Sequence, residues 1–147
     1  MAPLGRLGET GEMRSIELHI DTGNRATVVD LTSRVADFCK ESGDGLVSIF
    51  LPHATAGLAI IETGAGSDQD LMDAIDRTLP AEDGEWRHAH GSPGHGRDHV
   101  LPAFVSPSLT VPVKAGKMML GTWQSILLVD TNVDNPRRRV ILSFLDG

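Results

Sequence analysis

The chain has 147 residues, a formal net charge of −7, 40% hydrophobic and 22% charged residues, which is the make-up of one soluble domain with a core of its own. An acidic balance argues against non-specific binding to nucleic acid or to an anionic membrane, since both need a basic face. The single cysteine, Cys39, allows no internal disulfide, no apolar run approaches the roughly 20 residues of a membrane span, and a cytoplasmic location is the expectation.

Residues 1–12 lack the apolar stretch of a secretory signal and are expected to form a flexible tail, with 13–147 as the single domain. Ser15–Ile20 alternates polar and apolar, the period of a half-buried strand, with His19 on the polar side. Asp21-Thr22-Gly23-Asn24 is a turn, and Arg25–Val29 is expected to return as the second strand of a hairpin. A helix from about Ser33 to Glu41, capped by Asp30 or Thr32, would bury Val35, Phe38 and Cys39, leaving Cys39 an inert buried thiol.

Leu46–Leu51 reads as a central strand that Pro52 stops, and Gly57–Ile61 as another. A second helix runs from Gln69 to about Thr78, with Leu71, Met72, Ile75 and Leu79 on one face and Asp68 serving the dipole at its start. Asp98–Val105 reads as a short helix broken by Pro102. Strands follow at Leu109–Val113, Met118–Leu120, Ser125–Asp130 and Arg138–Phe144, separated by turn signals. Two helices among some eight short strands give an α+β protein with mostly antiparallel sheets. No glycine-rich strand-to-helix turn of the dinucleotide or P-loop type is present.

One stretch stands apart. Trp86 to His99 reads WRHAHGSPGHGRDH and holds four of the six histidines, His88, His90, His95 and His99. Its glycines and Pro93 make a loop the expectation. Neutral imidazole is the commonest ligand of zinc and its neighbours, and without cysteines nearby the site would keep an open position. The alternative is a solvated His/Gly loop. His95 and His99 are four apart, as one helical face requires, but Gly96 between them weakens a helix.

Four further positions carry candidate chemistry. His53, between two strands, is either a satisfied turn histidine or a ligand. Glu62 closes an apolar strand, where partial desolvation would raise its pKa toward acid–base work. Gln124 follows Trp123 after a turn and offers both a donor and an acceptor. Arg137 and Arg139 share one face of a strand, Arg138 taking the other, and the pair suits a phosphate or an ion-pair ladder.

In order, His53-Ala54-Thr55-Ala56-Gly57-Leu58 with Glu62, Trp86-Arg87-His88, His99, Ser106-Pro107-Ser108, Val111-Pro112-Val113, Gly121-Thr122-Trp123-Gln124 and Asp134-Asn135-Pro136-Arg137 resemble the YjbQ family, catalogued also as UPF0047 and as secondary thiamine-phosphate synthases. The resemblance runs from roughly Ile16 to Gly147. It implies a bent antiparallel β-sandwich with two helices, assembled as a homotrimer with clefts near the subunit contacts. It implies an activity joining a pyrimidine pyrophosphate to a thiazole phosphate, with a divalent metal, zinc foremost, at the histidines.

Carried over by residue, His53, His88 and His99 would be the metal ligands, and Glu62, His53 and Gln124 the catalytic groups. Thr55, His95, Ser108, Arg137 and Arg139 are expected to bind substrate phosphate, and of these Arg137 matches the arginine of the family's Asp-Gly-Pro-Arg turn. The chain departs from the family pattern at His95-Gly96, where Asn-Ala is usual, and at Ser106 and Asn135, where glycine is usual. Two other readings stand beside the synthase: a non-catalytic trimer that binds a metal or a phosphorylated metabolite, and a metal-dependent phosphate-ester hydrolase.

Overall fold

The run Ile126–Val129 is apolar at every position, and every residue of it is buried, the mark of a strand covered on both faces rather than one. The computed structural model describes residues 13–147, and the expected tail at 1–12 lies outside them. In chain order the elements are β1 (Met13–Asp21), β2 (Thr27–Asp30), α1 (Thr32–Cys39), β3 (Gly45–Phe50), β4 (Ala56–Ile61), α2 (Ser67–Thr78), α3 (His95–Asp98), β5 (Ser108–Lys114), β6 (Lys117–Met118), β7 (Ser125–Asp130) and β8 (Arg137–Asp146). Short 3-10 turns lie at Asp83–Glu85 and Leu101–Ala103.

Among the described residues two antiparallel sheets form, a five-stranded one in the order β1-β8-β3-β5-β6 and a three-stranded one in the order β2-β7-β4. Ile126 and Leu128 of β7 face the larger sheet, in a core with Val47, Ile49, Val140, Leu142 and Phe144. Leu127 and Val129 point the other way, onto Ile75 and Leu79 of the α2 segment and onto Leu101 and Val105. The small sheet is therefore the middle layer. Helix α1 inserts Val35, Phe38 and Cys39 into the first core, and burial pushes the Cys39 thiol up, against a smaller opposing pull from Arg14. Among the described residues no helix is long and apolar enough to cross a membrane.

The antiparallel α+β architecture expected from the patterning is the one observed, with β3 central as read. Two expectations are corrected. β2 does not return beside β1; it pairs with β7 in the other sheet, while β1 pairs with β8 along its whole length. The Asp21–Asn24 turn does form, with Gly23 N–H donating to Asp21 Oδ1 at 2.9 Å. It is then tied sideways, by Thr22 N–H to Pro136 O and Thr22 Oγ1–H to Asp130 Oδ2, so the chain crosses between layers. The second correction is a third helix: the histidine stretch is not all loop, because α3 supplies one helical turn inside it.

Candidate functional site

Helix α3 forms despite Gly96 because that glycine is a packing position. A Cβ there would lie 2.4 Å from His88 O and 2.7 Å from Trp86 Cβ, so only a bare backbone lets α3 lie against the Trp86–His88 segment. Trp86 is itself fixed by its indole N–H, which donates to Pro80 O at 2.8 Å. From below, Arg97 ties the turn to α2: Nη1 donates to Asp76 Oδ1 at 2.6 Å and to Leu79 O at 3.2 Å, with the side chain only 8% exposed. His99 keeps helical dihedrals as the following residue, so His95 and His99 do project from one face.

The result is a cluster of imidazoles. His88, His95 and His99 each present a ring nitrogen, all within 4.8 Å of one another. The Nε2 atoms of His95 and His99 are 3.0 Å apart. Two imidazole ligands on a tetrahedral centre sit about 3.3 Å apart at ordinary zinc–nitrogen bond lengths, so the His95–His99 pair is spaced for a shared divalent ion, and His88 would close in from within 4.8 Å to complete the set. His90 lies alongside, its ring 4.1 Å from that of His88 and 5.0 Å from that of His95. Desolvation and the neighbouring imidazoles push His88 and His99 below the usual histidine range, which favours the neutral rings that bind metals.

His95 is the best supported of the three. Its Nδ1 faces Asp134 Oδ2 at 3.0 Å with only 11% of the side chain exposed. Asp134 also accepts from Ser92, through its amide at 3.1 Å and its hydroxyl at 2.5 Å. The Ser92 hydroxyl and amide, then His95, hold the Asp134 carboxyl below its ordinary range against a smaller desolvation effect. Behind His95 lies fully buried Asn132, whose Nδ2 donates to Asp98 Oδ2 at 3.0 Å. Thr131 Oγ1–H donates to the other Asp98 oxygen.

His53 stands outside this group. Strand β3 leaves the sheet after Phe50, opposite Ile141, which would orphan the next inward amide of β8. His53 takes that place: its Nε2 accepts from the Arg139 N–H at 2.8 Å. That bond puts the ring proton on Nδ1, so a neutral His53 has no free lone pair for a metal. Desolvation first, then the Arg138 and Arg139 guanidinium groups, hold it below the usual range, with Asp130 opposing. Of the expected ligands, the structure brings His88 and His99 together, adds His95, and leaves His53 apart.

The remaining candidates divide between two ends of β7. Ile61 pairs with Ser125 and Ala56 with Asp130, so Glu62 and Gln124 flank one end, while Thr55 and the Thr131–Asn132 turn flank the other. Six residues of strand put about 20 Å between those ends. Glu62 is exposed, because β4 leaves the sheet at that point, and the expected desolvation of its carboxylate does not occur. Gln124 Oε1 accepts from Gly121 N–H at 2.7 Å, which closes its own turn. Beside it Trp123 is 73% exposed.

Arg137 and Arg139 lie exposed on one face of β8 and Arg138 is buried on the other, as read from the alternation. Arg139 Nη1 reaches Glu17 at 3.3 Å. Ser108 is exposed, its amide donating to Ser106 Oγ at 3.2 Å, and Thr55 is buried with its hydroxyl accepting from Arg138 at 3.0 Å. Sequence reasoning passed over Asp98, Asn132, Asp134 and Ser92. Ser92 and Asp98 lie in the histidine stretch itself, and Asn132 and Asp134 in a run of Asp and Asn after an apolar strand, a pattern that also describes any turn.

A family model described as UPF0047 protein YjbQ-like matches residues 16–147. A UPF0047 protein of Mycobacterium tuberculosis strain H37Rv is 63% identical over 130 residues, covering 88% of this chain and 96% of that one. A UPF0047 protein of Archaeoglobus fulgidus is 36% identical over 132 residues, covering 88% and 100%. Among solved structures, a hypothetical protein from Aeropyrum pernix K1 superposes with a TM-score of 0.81 at 28% identity, covering 91% of this chain and 99% of that one. A YbjQ-like protein of unknown function from Sulfolobus solfataricus P2 gives 0.85 at 24% identity, covering 92% and 99%, a likeness of fold. With a family model spanning nearly the whole domain and relatives aligned almost end to end, the chain belongs to the UPF0047 (YjbQ-like) family.

Proposed function

We propose that the protein is a metal-assisted enzyme acting on small phosphorylated metabolites, of the thiamine-phosphate synthase type, with His88, His95 and His99 as the metal ligands. One observation carries the reading: three imidazole nitrogens within 4.8 Å, one of them backed by a carboxylate, with His88 and His99 exposed on the outer side. A three-histidine set without thiolate suits zinc or a neighbouring divalent ion and leaves a position for substrate. When bound, such an ion supplies charge stabilisation to a departing pyrophosphate.

In the synthase reaction the pyrimidine methylene carbon loses its bond to the pyrophosphate oxygen and gains one to the thiazole nitrogen. The chain's own part is binding and orientation. His53 offers its Nδ1–H, and Arg137 and Arg139 their guanidinium groups, to anionic oxygens. The reading includes a homotrimer, which would supply the Glu62–Gln124 end from a neighbouring copy. The exposed Phe50, Met119 and Trp123 support a protein contact.

The test is elemental analysis of the purified protein with turnover of the pyrimidine and thiazole phosphates, beside simple phosphate esters, before and after chelation. Near-stoichiometric zinc and activity lost on chelation support the reading; hydrolysis of esters alone would make it a phosphatase-type hydrolase. The distance of exposed Glu62 from the histidines favours a second reading, a trimer that binds metal or phosphometabolite without turnover. Glu62→Gln separates them: unchanged slow turnover removes proton transfer by Glu62 and favours binding.

A further inference from the structure

His95 Nδ1 has two neighbours that make opposite demands. Asp134 Oδ2 at 3.0 Å can only accept when ionised, so it needs a proton on Nδ1. Asn132 Nδ2 at 3.3 Å can only donate, so it needs a lone pair there. The Asn132 amide cannot be turned to relieve this. Its Oδ1 already accepts from the backbone N–H groups of Asp134 and Asn135 at 3.0 Å and from Asn135 Nδ2 at 3.1 Å, and its Nδ2 serves Asp98. The shorter, charge-assisted contact wins, and the proton sits on Nδ1. His95 Nε2 is then the lone pair, aimed at His99 Nε2.

Asp134 is held to this task. Both of its oxygens are occupied by Ser92, which belongs to the loop between His88 and His95. Between them Gly91, at φ +81°, is bare where a Cβ would lie 2.9 Å from His95 Cγ and 3.0 Å from Asp134 Oδ2. The loop that carries His88 and the ring of His95 are therefore clamped by one carboxylate.

We propose that Asp134 is a positioning residue that selects Nε2 of His95 as the ligating nitrogen and, through Ser92, sets the distance between His88 and His95. The inference rests on the metal reading above. It makes the Asp134–His95 pair a carboxylate–histidine relay to the ion, an arrangement whose loss typically costs 10–100-fold in metal affinity.

The experiment is nitrogen-15 NMR of the histidine rings in metal-free protein above pH 7, with zinc titration against a competing chelator. Wild type should show His95 protonated at Nδ1. Asp134→Ala should shift that ring toward the Nε2–H form and weaken zinc about 10–100-fold. Asp134→Asn, whose carboxamide oxygen accepts the same N–H, should keep the tautomer and stay within a few-fold of wild type. Wild-type zinc affinity in Asp134→Ala, or an Nε2–H His95 in wild type, overturns the proposal. A wild type with the Nδ1–H tautomer that binds no zinc overturns the metal reading instead and leaves the assignment of His95 standing.

Discussion

Arg138 and Asp130 face each other across the two sheets in a forked pair, Nε to Oδ2 at 2.7 Å and Nη2 to Oδ1 at 2.9 Å, with the side chains 1% and 0% exposed. Arg138 also reaches Thr55 Oγ1, and Asp130 accepts from Thr22 Oγ1–H and from the Asn132 backbone N–H. One pair thus ties β8, β7, the His53 turn and the turn behind His95. Removing one partner strands the other charge out of water, so Arg138→Met should cost about 3–5 kcal/mol in urea unfolding. Arg138→Met with Asp130→Leu should recover much of that loss. Equal stability of the single and double variants would show that stranded charge is not the cause.

Metal content should separate the histidines. His88→Ala and His99→Ala are expected to abolish zinc binding while the metal-free proteins unfold at the wild-type temperature, since both rings sit at the surface. His53→Ala should keep zinc and lose about 1 kcal/mol, the worth of the acceptor it gives to the Arg139 amide. Elemental analysis beside thermal melts checks both. Full zinc occupancy in His88→Ala or His99→Ala would take that residue off the ligand set.

Stability of the metal-free protein should fall as pH drops through the histidine range. His53, His88 and His99 all have folded-state values below the ordinary one. Between the folded values and the unfolded value near 6.5, the unfolded chain binds more protons, so stability rises with pH there. Their contribution is complete above about pH 7 and is lost as pH falls below about 6.5. Urea unfolding from pH 5 to 7.5 should show this slope, shallower in His53→Ala. A flat profile would mean that the rings titrate alike in both states.

The thiol of Cys39 is fully buried and its pKa is raised by that burial. A disulfide reagent at pH 8 should leave it unlabelled in the folded protein and label one equivalent in urea, at a rate that follows unfolding. Rapid labelling of the native protein would show that α1 opens locally.

Much of the fold was legible because periodicity reports burial. β7 was read with its observed bounds, since an unbroken apolar run between turn signals leaves few alternatives. The partner of β2 was not legible: Val28 and Val29 are both half-buried, and local pattern does not say which sheet a strand joins. In the site, the histidine-rich stretch stands out as rare side chains among glycines, but singling out His88 and His99 within it depends on the family resemblance. The duty of His53 to a strand amide, and of Asp134 to His95, depends on contacts 86 and 39 residues apart in sequence. A polar turn such as Thr131–Asn135 looks solvated until tertiary structure buries Asn132.

The pairing of β1 with β8 has a consequence for how the protein is made. β1 is synthesised well before β8 and waits for it before its backbone groups find strand partners, and until then β3 has only β5 beside it. The growing chain can assemble the β2-β7-β4 layer and α2 first, but the larger sheet closes late. Its first strand meanwhile offers a bare edge to any other chain. Folding is thus expected to be slow for the chain's size, because β1 must find β8 across nearly the whole described chain, and that waiting interval is when a chaperone would be of most use.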